Sequence, residues 1–369
     1  MKNRKIYPPS QNRLLLRNDS VSPNTEKLRV KSLDAIRAIA ISAVVLIHTT
    51  TRTIEAIKDN LTNFPFAFFL NQIARFAVPL FFMVSGFALE LNYVNHTNHF
   101  AYLKKRFSKI LIPYIFWSVI YYLLIYTQNH DNFLKVLYLG NASYQLYFIP
   151  TLFLFYLIFP IIHKMYSVLA NKWILIILAF SQMLILYNDY FIKPYKLEDP
   201  LHTALMSYFV FILGMVAARN KDKLLEIALR WKTILAGFTV LTAFYIFWEG
   251  MTNFLKTGNY LTFYSNFRPS TLIYTILVGL VLFYIFDREH LKSSPRKKLS
   301  DASFFVFFIH VIILENVWKF VGKSLFNSFG ITPVGKIIFD PIFFGVVLGI
   351  SFLTAFLIRK VPFAPKITG

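Results

Sequence analysis

The apolar residues of this 369-residue chain are gathered into long blocks separated by short polar connections. Each block holds about 17–25 residues, the length that a helix needs to cross the hydrocarbon core of a bilayer. Only 15% of the residues are charged, whereas soluble domains carry about a quarter. Disorder and collagen-like structure are excluded, because hydrophobic residues make up 56% of the chain and glycine is sparse. The sequence therefore predicts an all-α polytopic membrane helix bundle.

About ten transmembrane helices are predicted from these blocks. The segments are 33–51, 64–92, 110–127, 144–163, 173–188, 202–218, 233–248, 269–286, 301–320 and 338–358. The second segment is long and contains Arg75 and Pro79, so it is predicted to tilt, kink or form a re-entrant segment. A basic tail (1–31), a transmembrane domain (32–358) and a short second tail (359–369) complete the predicted organisation.

Lysine and arginine are distributed unequally between the connections. Alternate connections, together with both termini, hold 27 of these residues, whereas the opposite set holds 9. Because basic residues accumulate on the cytoplasmic side, both termini are predicted to be cytoplasmic. The net charge of +21 is explained by these connections, which face anionic lipid headgroups, and nucleic acid is not expected as a partner.

Three ionisable residues, Asp34, Arg37 and His48, lie in the first predicted span. Arg37 and His48 are eleven residues apart, about 20° from three full turns, so they share one helix face about 16 Å apart along the axis. Arg37 either snorkels to the interface or binds an anionic ligand from the cytosol. His48 either packs between helices or acts as a general base. Asp34, one turn before Arg37, is expected first of all to pair with it. The spacing suits a long cytosolic donor such as coenzyme A.

Further candidates lie in later segments. Arg75 is flanked by apolar sequence and requires an anion, several carbonyl groups or a structural carboxylate. Ser85-Gly86 permits close approach of another helix. The connection 93–109 carries Lys104-Lys105-Arg106 and Lys109, which predict a membrane anchor or a phosphate-binding patch. His310 lies within a span, and Glu315 does not share its helix face.

Metal and cysteine chemistry have little support in the sequence. Cysteine is absent, and the chain contains no HExxH or HxxxH pattern. The remaining histidines are predicted to lie solvated in loops or at span ends. They are His96, His99, His130, His163, His202 and His290.

The combination of motifs resembles a known family. Arg37-x10-His48 in the first span is followed by Arg75-Phe76-Ala77-Val78-Pro79 and Phe81-Phe82-Met83-Val84-Ser85-Gly86, and later by Phe307-Phe308-Ile309-His310. Together they resemble bacterial acyltransferase family 3, whose members include polysaccharide O-acetyltransferases and intercellular adhesin biosynthesis proteins. The resemblance covers about residues 30–360.

The resemblance implies a multi-pass protein of the bacterial cell membrane that moves an acyl group, with acetyl the commonest, from cytosolic acyl-CoA to a hydroxyl of a cell-envelope glycan. His48 matches the catalytic histidine, and Arg37, Asp34 and Arg75 are expected to assist it. Arg106 with Lys109 matches an RxxR-like element in which lysine replaces the second arginine. His310 matches a late histidine that contacts substrate. Acetyl-CoA is the implied co-substrate, no metal is implied, and polysaccharide synthesis proteins are the implied partners.

Two other functions fit the same sequence. An exporter of a polysaccharide or a lipid-linked glycan would also span the membrane many times, although no inverted repeat between the two halves is visible. A non-catalytic scaffold within a polysaccharide synthase is the third hypothesis, and it predicts that substitutions of Arg37 and His48 are tolerated.

Overall fold

The computed structural model describes residues 30–57, 65–93, 99–125, 131–192, 195, 199–258, 263–288 and 293–361. Within these ranges the chain is almost entirely helical and contains no β-strand. Most of the two predicted tails lies outside the described residues.

The helices follow one another in an all-α order. They are α1 (Lys31–Ala56), α2 (Pro65–Ile73), α3 (Ala77–Asn92), α4 (His99–Ile120), α5 (Phe133–Leu139), α6 (Phe148–Lys164), α7 (Tyr166–Leu169), α8 (Lys172–Tyr187), α9 (Leu201–Arg219), α10 (Lys221–Arg230), α11 (Lys232–Thr257), α12 (Pro269–Arg288), α13 (Ser293–Val317), α14 (Lys323–Leu325) and α15 (Gly335–Ile358). π-helical turns occur at Tyr121–Ile125, Asn188–Ile192, Trp318–Gly322 and Phe326–Gly330.

Nine helical stretches in the described ranges are long and apolar enough to cross a membrane. They correspond to nine of the ten predicted spans. The remaining prediction, 144–163, corresponds to α6, an apolar helix that begins only at Phe148 and is 17 residues long. Large apolar side chains on the outer surface, such as Trp173, Phe180 and Trp248, are exposed, as expected for a surface that lipid rather than water covers. The predicted multi-pass membrane bundle is confirmed.

The second predicted span is broken, as its sequence indicated. Helix α2 ends at Ile73, residues 74–76 form a turn, and α3 begins at Ala77. Backbone hydrogen bonds in the turn run from Arg75 N to Gln72 O and from Ala77 N to Ala74 O, three residues apart rather than four. Arg75 therefore lies at the break itself.

The connection 93–109 is not a loop along its whole length, so that part of the prediction was wrong. Helix α4 begins at His99, and Lys104 and Lys109 project from it as exposed residues, whereas Tyr102 is buried. Hydropathy falls where the lysines begin, but lysine is a good helix former, so the helix extends beyond the apolar block.

Helix α1 lies at the centre of the bundle. It packs against α2, α3, α12, α13 and α15, and its residues Ala40, Ile41 and Val45 are fully buried. Helices α3 and α9 form another close pair, because a methyl group on Gly86 would overlap the Phe211 carbonyl and one on Gly214 would overlap the Met83 carbonyl. The close approach predicted from Ser85-Gly86 is therefore made to α9.

Candidate functional site

A cavity of about 860 Å³ lies between α1, α3, α6 and α13. This volume is near the upper end of the range of about 300–1,000 Å³ that small-molecule sites occupy. Its walls include the aromatic residues Phe81, Phe148, Phe304 and Phe307. Arg37, His48 and Arg75 all line it.

The cavity follows one face of α1 for most of the length of the helix. Arg37, Val44, His48, Thr51 and Glu55 line it, at spacings of seven, four, three and four residues, which is a single helical stripe. Arg37 and Glu55 are eighteen residues apart, which is about 27 Å along a helix axis. The hydrocarbon core of a bilayer is about 30 Å thick. The cavity therefore extends along nearly a full membrane span.

His48 packs against two aromatic rings near the middle of this stripe. Its ring centroid lies 4.7 Å from that of Tyr144 and 5.3 Å from that of His310. His310 is fully buried, and its Nδ1 lies 3.0 Å from the carbonyl oxygen of Val306. A carbonyl only accepts, so Nδ1 of His310 carries a proton, and in the neutral ring Nε2 keeps its lone pair. That Nε2 has no hydrogen-bond partner within the described ranges.

Arg75 is buried and its hydrogen-bond partners are neutral. One terminal nitrogen donates to the Tyr264 carbonyl at 2.5 Å and to Asn266 Oδ1 at 3.3 Å, and the other donates to Asn71 Oδ1. No carboxylate forms an ion pair with Arg75 among the described residues, and its Nε has no partner there. One of the alternatives from the sequence, a structural carboxylate partner, is not found in the part of the chain that the structure describes. Within the described ranges, the positive charge of Arg75 therefore faces the cavity with no carboxylate bound to it.

A second buried arginine, Arg268, was not singled out from the sequence. It is fully buried, forms an ion pair with Glu249 at 3.1 Å and donates to Gln72 Oε1 at 2.7 Å. Glu249 and Arg268 flank two consecutive predicted spans, 233–248 and 269–286. Two consecutive spans run antiparallel, so Glu249 at the end of one and Arg268 at the start of the next lie at the same side of the membrane. Their opposite charges were therefore the sequence signal that could have predicted the ion pair.

Three non-helical segments meet at the cavity. They are the turn 74–76, the turns 140–147 between α5 and α6, and the irregular segment 263–268 between α11 and α12. Irregular backbone at membrane depth is tolerated where it is buried in protein or lines a water-filled space. Gly140, with φ of +75°, allows the second segment to form, since a side chain there would overlap Tyr147.

The two ends of the cavity carry opposite charge. The Arg37 end is lined by Arg37 with Ser85, Ser300 and Ser303, and no carboxylate lines it in the described part of the chain. The Glu55 end is lined by Arg52, Glu55, Tyr144, Gln145, Asp199, His202 and Glu315. At that end Arg52 forms ion pairs with both Glu55 and Glu315, so carboxylates outnumber cations.

Three other predicted site residues, Asp34, Lys109 and His310, do not line the cavity. Asp34 is buried one turn before Arg37, and Lys109 is exposed on α4. The side chain of Arg106 lies outside the described residues, as do those of His96, His99, His130 and His290.

Two histidines that were predicted to be solvated are engaged instead. His163 bonds Glu90 at 2.9 Å and its side chain is 9% exposed, because α3 and α6 converge there. His202 bonds Asp189 at 3.0 Å and lines the cavity. No group of three or more His, Asp or Glu side chains suited to a metal ion occurs in the described ranges.

Comparison with known proteins agrees with this arrangement. The acyltransferase domain family matches residues 30–358, which include every residue of the cavity lining. The chain belongs to the membrane acyltransferase family.

Relatives of this acyltransferase-family protein include two from staphylococci. The "Probable poly-beta-1,6-N-acetyl-D-glucosamine export protein" of Staphylococcus aureus (strain MRSA252) is 26% identical over 359 residues, covering 92% of this chain and 98% of the relative. A protein of the same name from Staphylococcus epidermidis is 26% identical over 343 residues, covering 88% and 90%. No solved structure matches.

Proposed function

We propose that the protein transfers an acyl group, acetyl by family frequency, from cytosolic acyl-CoA to a hydroxyl of a cell-envelope glycan. The observation that carries this proposal is a single cavity that brings Arg37, His48 and Arg75 together along one membrane span. Buried ionisable residues in a membrane are costly to keep, and here two cations and a histidine face the same space.

The residues divide the chemistry among them. His48 accepts the proton of the acceptor hydroxyl as the hydroxyl oxygen attacks the thioester carbonyl carbon. The new C–O bond forms, the C–S bond breaks, and His48 returns the proton to the departing sulfur, which leaves as a free thiol. Arg75 donates hydrogen bonds to the carbonyl oxygen as negative charge develops on it.

Arg37 binds the phosphates of the donor at the Arg37 end of the cavity. Its distance from His48, about 16 Å along the helix, corresponds to a donor whose phosphates stay at the membrane surface while its thioester reaches the centre. Asp34 orients Arg37 from the preceding turn. Lys109, which is exposed on α4, supplies further positive charge at the same membrane surface, and Arg106 is assigned the same role from the sequence motif.

His310 positions His48. Its unprotonated Nε2 belongs to a ring packed against His48, so it is available to accept an N–H from the His48 ring. That interaction fixes the tautomer of His48 and leaves the other nitrogen free to act as the base. His310 is thus assigned a positioning role in place of the substrate contact expected from the sequence, because it is fully buried and does not line the cavity.

The acceptor enters from the Glu55 end, which faces away from the cytoplasm in the predicted orientation. The relatives' names refer to poly-β-1,6-N-acetyl-D-glucosamine, and a hydroxyl-rich glycan of this kind supplies the nucleophile that the site requires. Proteins of polysaccharide synthesis are the expected partners.

Export of the glycan itself is the second candidate. It is favoured by the length of the cavity, which follows nearly a full span, and by the relatives' names. The two functions differ in their need for a donor, because export requires no acyl-CoA.

The test uses purified protein in nanodiscs, so that both faces are accessible to substrate. Labelled acetyl-CoA and an N-acetylglucosamine oligosaccharide are mixed with wild-type protein, with His48→Gln and with Gly345→Ala, whose added methyl group has open space. We expect labelled oligosaccharide with wild-type and Gly345→Ala protein and none with His48→Gln. No label transfer from acetyl-CoA or from succinyl-CoA would instead favour export.

A further inference from the structure

We propose that the Glu55 end of the cavity is a glycan subsite in which Tyr144 stacks on a sugar ring and Gln145 donates a hydrogen bond to it, and that this subsite accepts neutral or amine-bearing glycans and rejects anionic ones. The inference rests on the proposed function, since it names the class of acceptor used at the same site.

Tyr144 lies beside the position that the reacting sugar must occupy. Its ring packs 4.7 Å from the ring of His48, and 44% of the residue remains exposed. Tyrosine presents a flat apolar face with a polar edge, which suits a sugar ring whose C–H groups form one face and whose hydroxyls form the rim. A sugar stacked on the exposed part of Tyr144 presents a hydroxyl next to His48.

Gln145 supplies an unused hydrogen-bond donor at the Glu55 end of the cavity, next to Tyr144 in the sequence. The residue is 3% exposed and lines the cavity, and its Oε1 accepts a hydrogen bond from Ser143 Oγ at 2.5 Å. Its Nε2 has no hydrogen-bond partner in the part of the chain that the structure describes. A buried amide nitrogen without a partner is costly, so a ligand oxygen that accepts from it is strongly favoured. Glycan hydroxyls and acetamide carbonyls are such acceptors.

The charges at this end set the class of glycan. Among the described residues that line it, Glu55, Asp199 and Glu315 carry negative charge and Arg52 carries positive charge. Oε1 of Glu315 is buried without a hydrogen-bond partner among the described residues, so it can accept from a sugar hydroxyl or amine. Because three carboxylates stand against one arginine in this lining, carboxylates of an anionic polysaccharide would meet an excess of like charge in a partly desolvated space, which is unfavourable.

The test measures binding without any acyl donor, so it is independent of catalysis. Wild-type protein in nanodiscs is titrated with three probes of equal length. They are a β-1,6-linked N-acetylglucosamine oligosaccharide, its de-N-acetylated cationic counterpart, and anionic oligogalacturonate. We expect the first two to bind and the third to bind at least about tenfold more weakly. Equal binding of the anionic probe, or binding of none of the three, overturns the proposal.

Variants locate the subsite. Tyr144→Ala and Gln145→Ala are each expected to weaken binding of the neutral oligosaccharide by about tenfold, whereas Tyr144→Phe retains it because the ring face remains. Tyr138→Ala is the matched control, since Tyr138 is 58% exposed on α5 and does not line the cavity. Wild-type affinity in both alanine variants, with thermal stability unchanged, contradicts the subsite.

Failure of the subsite and failure of the proposed function give different results. If binding depends on Tyr144 and Gln145 but no acyl-CoA serves as donor, the result supports the glycan subsite and contradicts the proposed acyltransferase activity. If both alanine variants transfer the acyl group with an unchanged KM for the acceptor, the result supports the acyltransferase activity and contradicts the glycan subsite.

Discussion

The ring of His48 packs against the rings of both Tyr144 and His310. Such packing restricts the ring to one orientation, which a base needs if its nitrogen is to meet a particular hydroxyl. We predict that His48→Ala lowers the rate of acyl transfer by about 10²–10⁴, the usual contribution of a general base. The rate is measured with labelled acetyl-CoA. A decrease of less than tenfold in the transfer rate of folded His48→Ala protein would contradict a role of His48 as the general base.

The two buried arginines, Arg75 and Arg268, are predicted to differ in role: the first acts in catalysis and the second in stability. Arg75 has neutral partners and faces the cavity, so Arg75→Lys should lower kcat by about 10²–10³ because the fork of donors is lost. The folded protein should persist, since lysine retains the charge. Wild-type kcat in Arg75→Lys protein would contradict a role in stabilising the developing charge.

Arg268 is predicted to act on stability instead. Arg268→Gln leaves Glu249 buried without its cation, which costs about 3–5 kcal/mol. Adding Glu249→Gln removes the uncompensated charge and should restore most of the lost thermal stability. A double variant no more stable than Arg268→Gln alone would show that the ion pair is not the cause.

At the scale of elements, α3 and α9 depend on two glycines. A methyl group at Gly86 or Gly214 meets a backbone carbonyl of the other helix, which cannot move aside as a flexible side chain would. We predict that Gly86→Ala and Gly214→Ala each destabilise the protein by about 1–3 kcal/mol, the cost of overpacking. Thermal unfolding in detergent measures the effect, with Gly345→Ala on α15 as the control.

The elements also show where sequence reasoning succeeded. The apolar blocks predicted the spans because hydrocarbon admits only helices whose backbone groups are satisfied internally. Arg75 with Pro79 predicted the break between α2 and α3. The irregular segment 263–268 lies in the connection between the predicted spans 233–248 and 269–286, as expected. Residues 144–147 were wrongly placed in a span, because hydropathy does not register backbone conformation.

The candidate site was predicted only in part for a similar reason. Arg37 and His48 share a helix, so their common face follows from helical geometry. Tyr144, Gln145 and Glu315 reach the cavity from distant segments, and their proximity depends on how the helices pack. Periodicity along one helix carries no information about that packing.

At the scale of the whole molecule, the distribution of lysine and arginine predicts cytoplasmic termini. The chain contains no cysteine, so single cysteines can be introduced without background labelling. We expect Lys223→Cys on α10 to react with a membrane-impermeant thiol reagent only from the cytoplasmic side, and Leu134→Cys on α5 only from the opposite side. Both residues are exposed. The reverse pattern would invert the donor and acceptor ends of the cavity.

The central claim is that one cavity joins a cytosolic donor to an acceptor on the other side of the membrane through His48. The most direct measurement uses inside-out vesicles with an N-acetylglucosamine oligosaccharide trapped in the lumen and labelled acetyl-CoA added outside. The account predicts labelled oligosaccharide in the lumen with wild-type protein and none with His48→Ala. Labelling that persists with His48→Ala, or oligosaccharide that crosses the membrane unlabelled in a protein-dependent way, would contradict it.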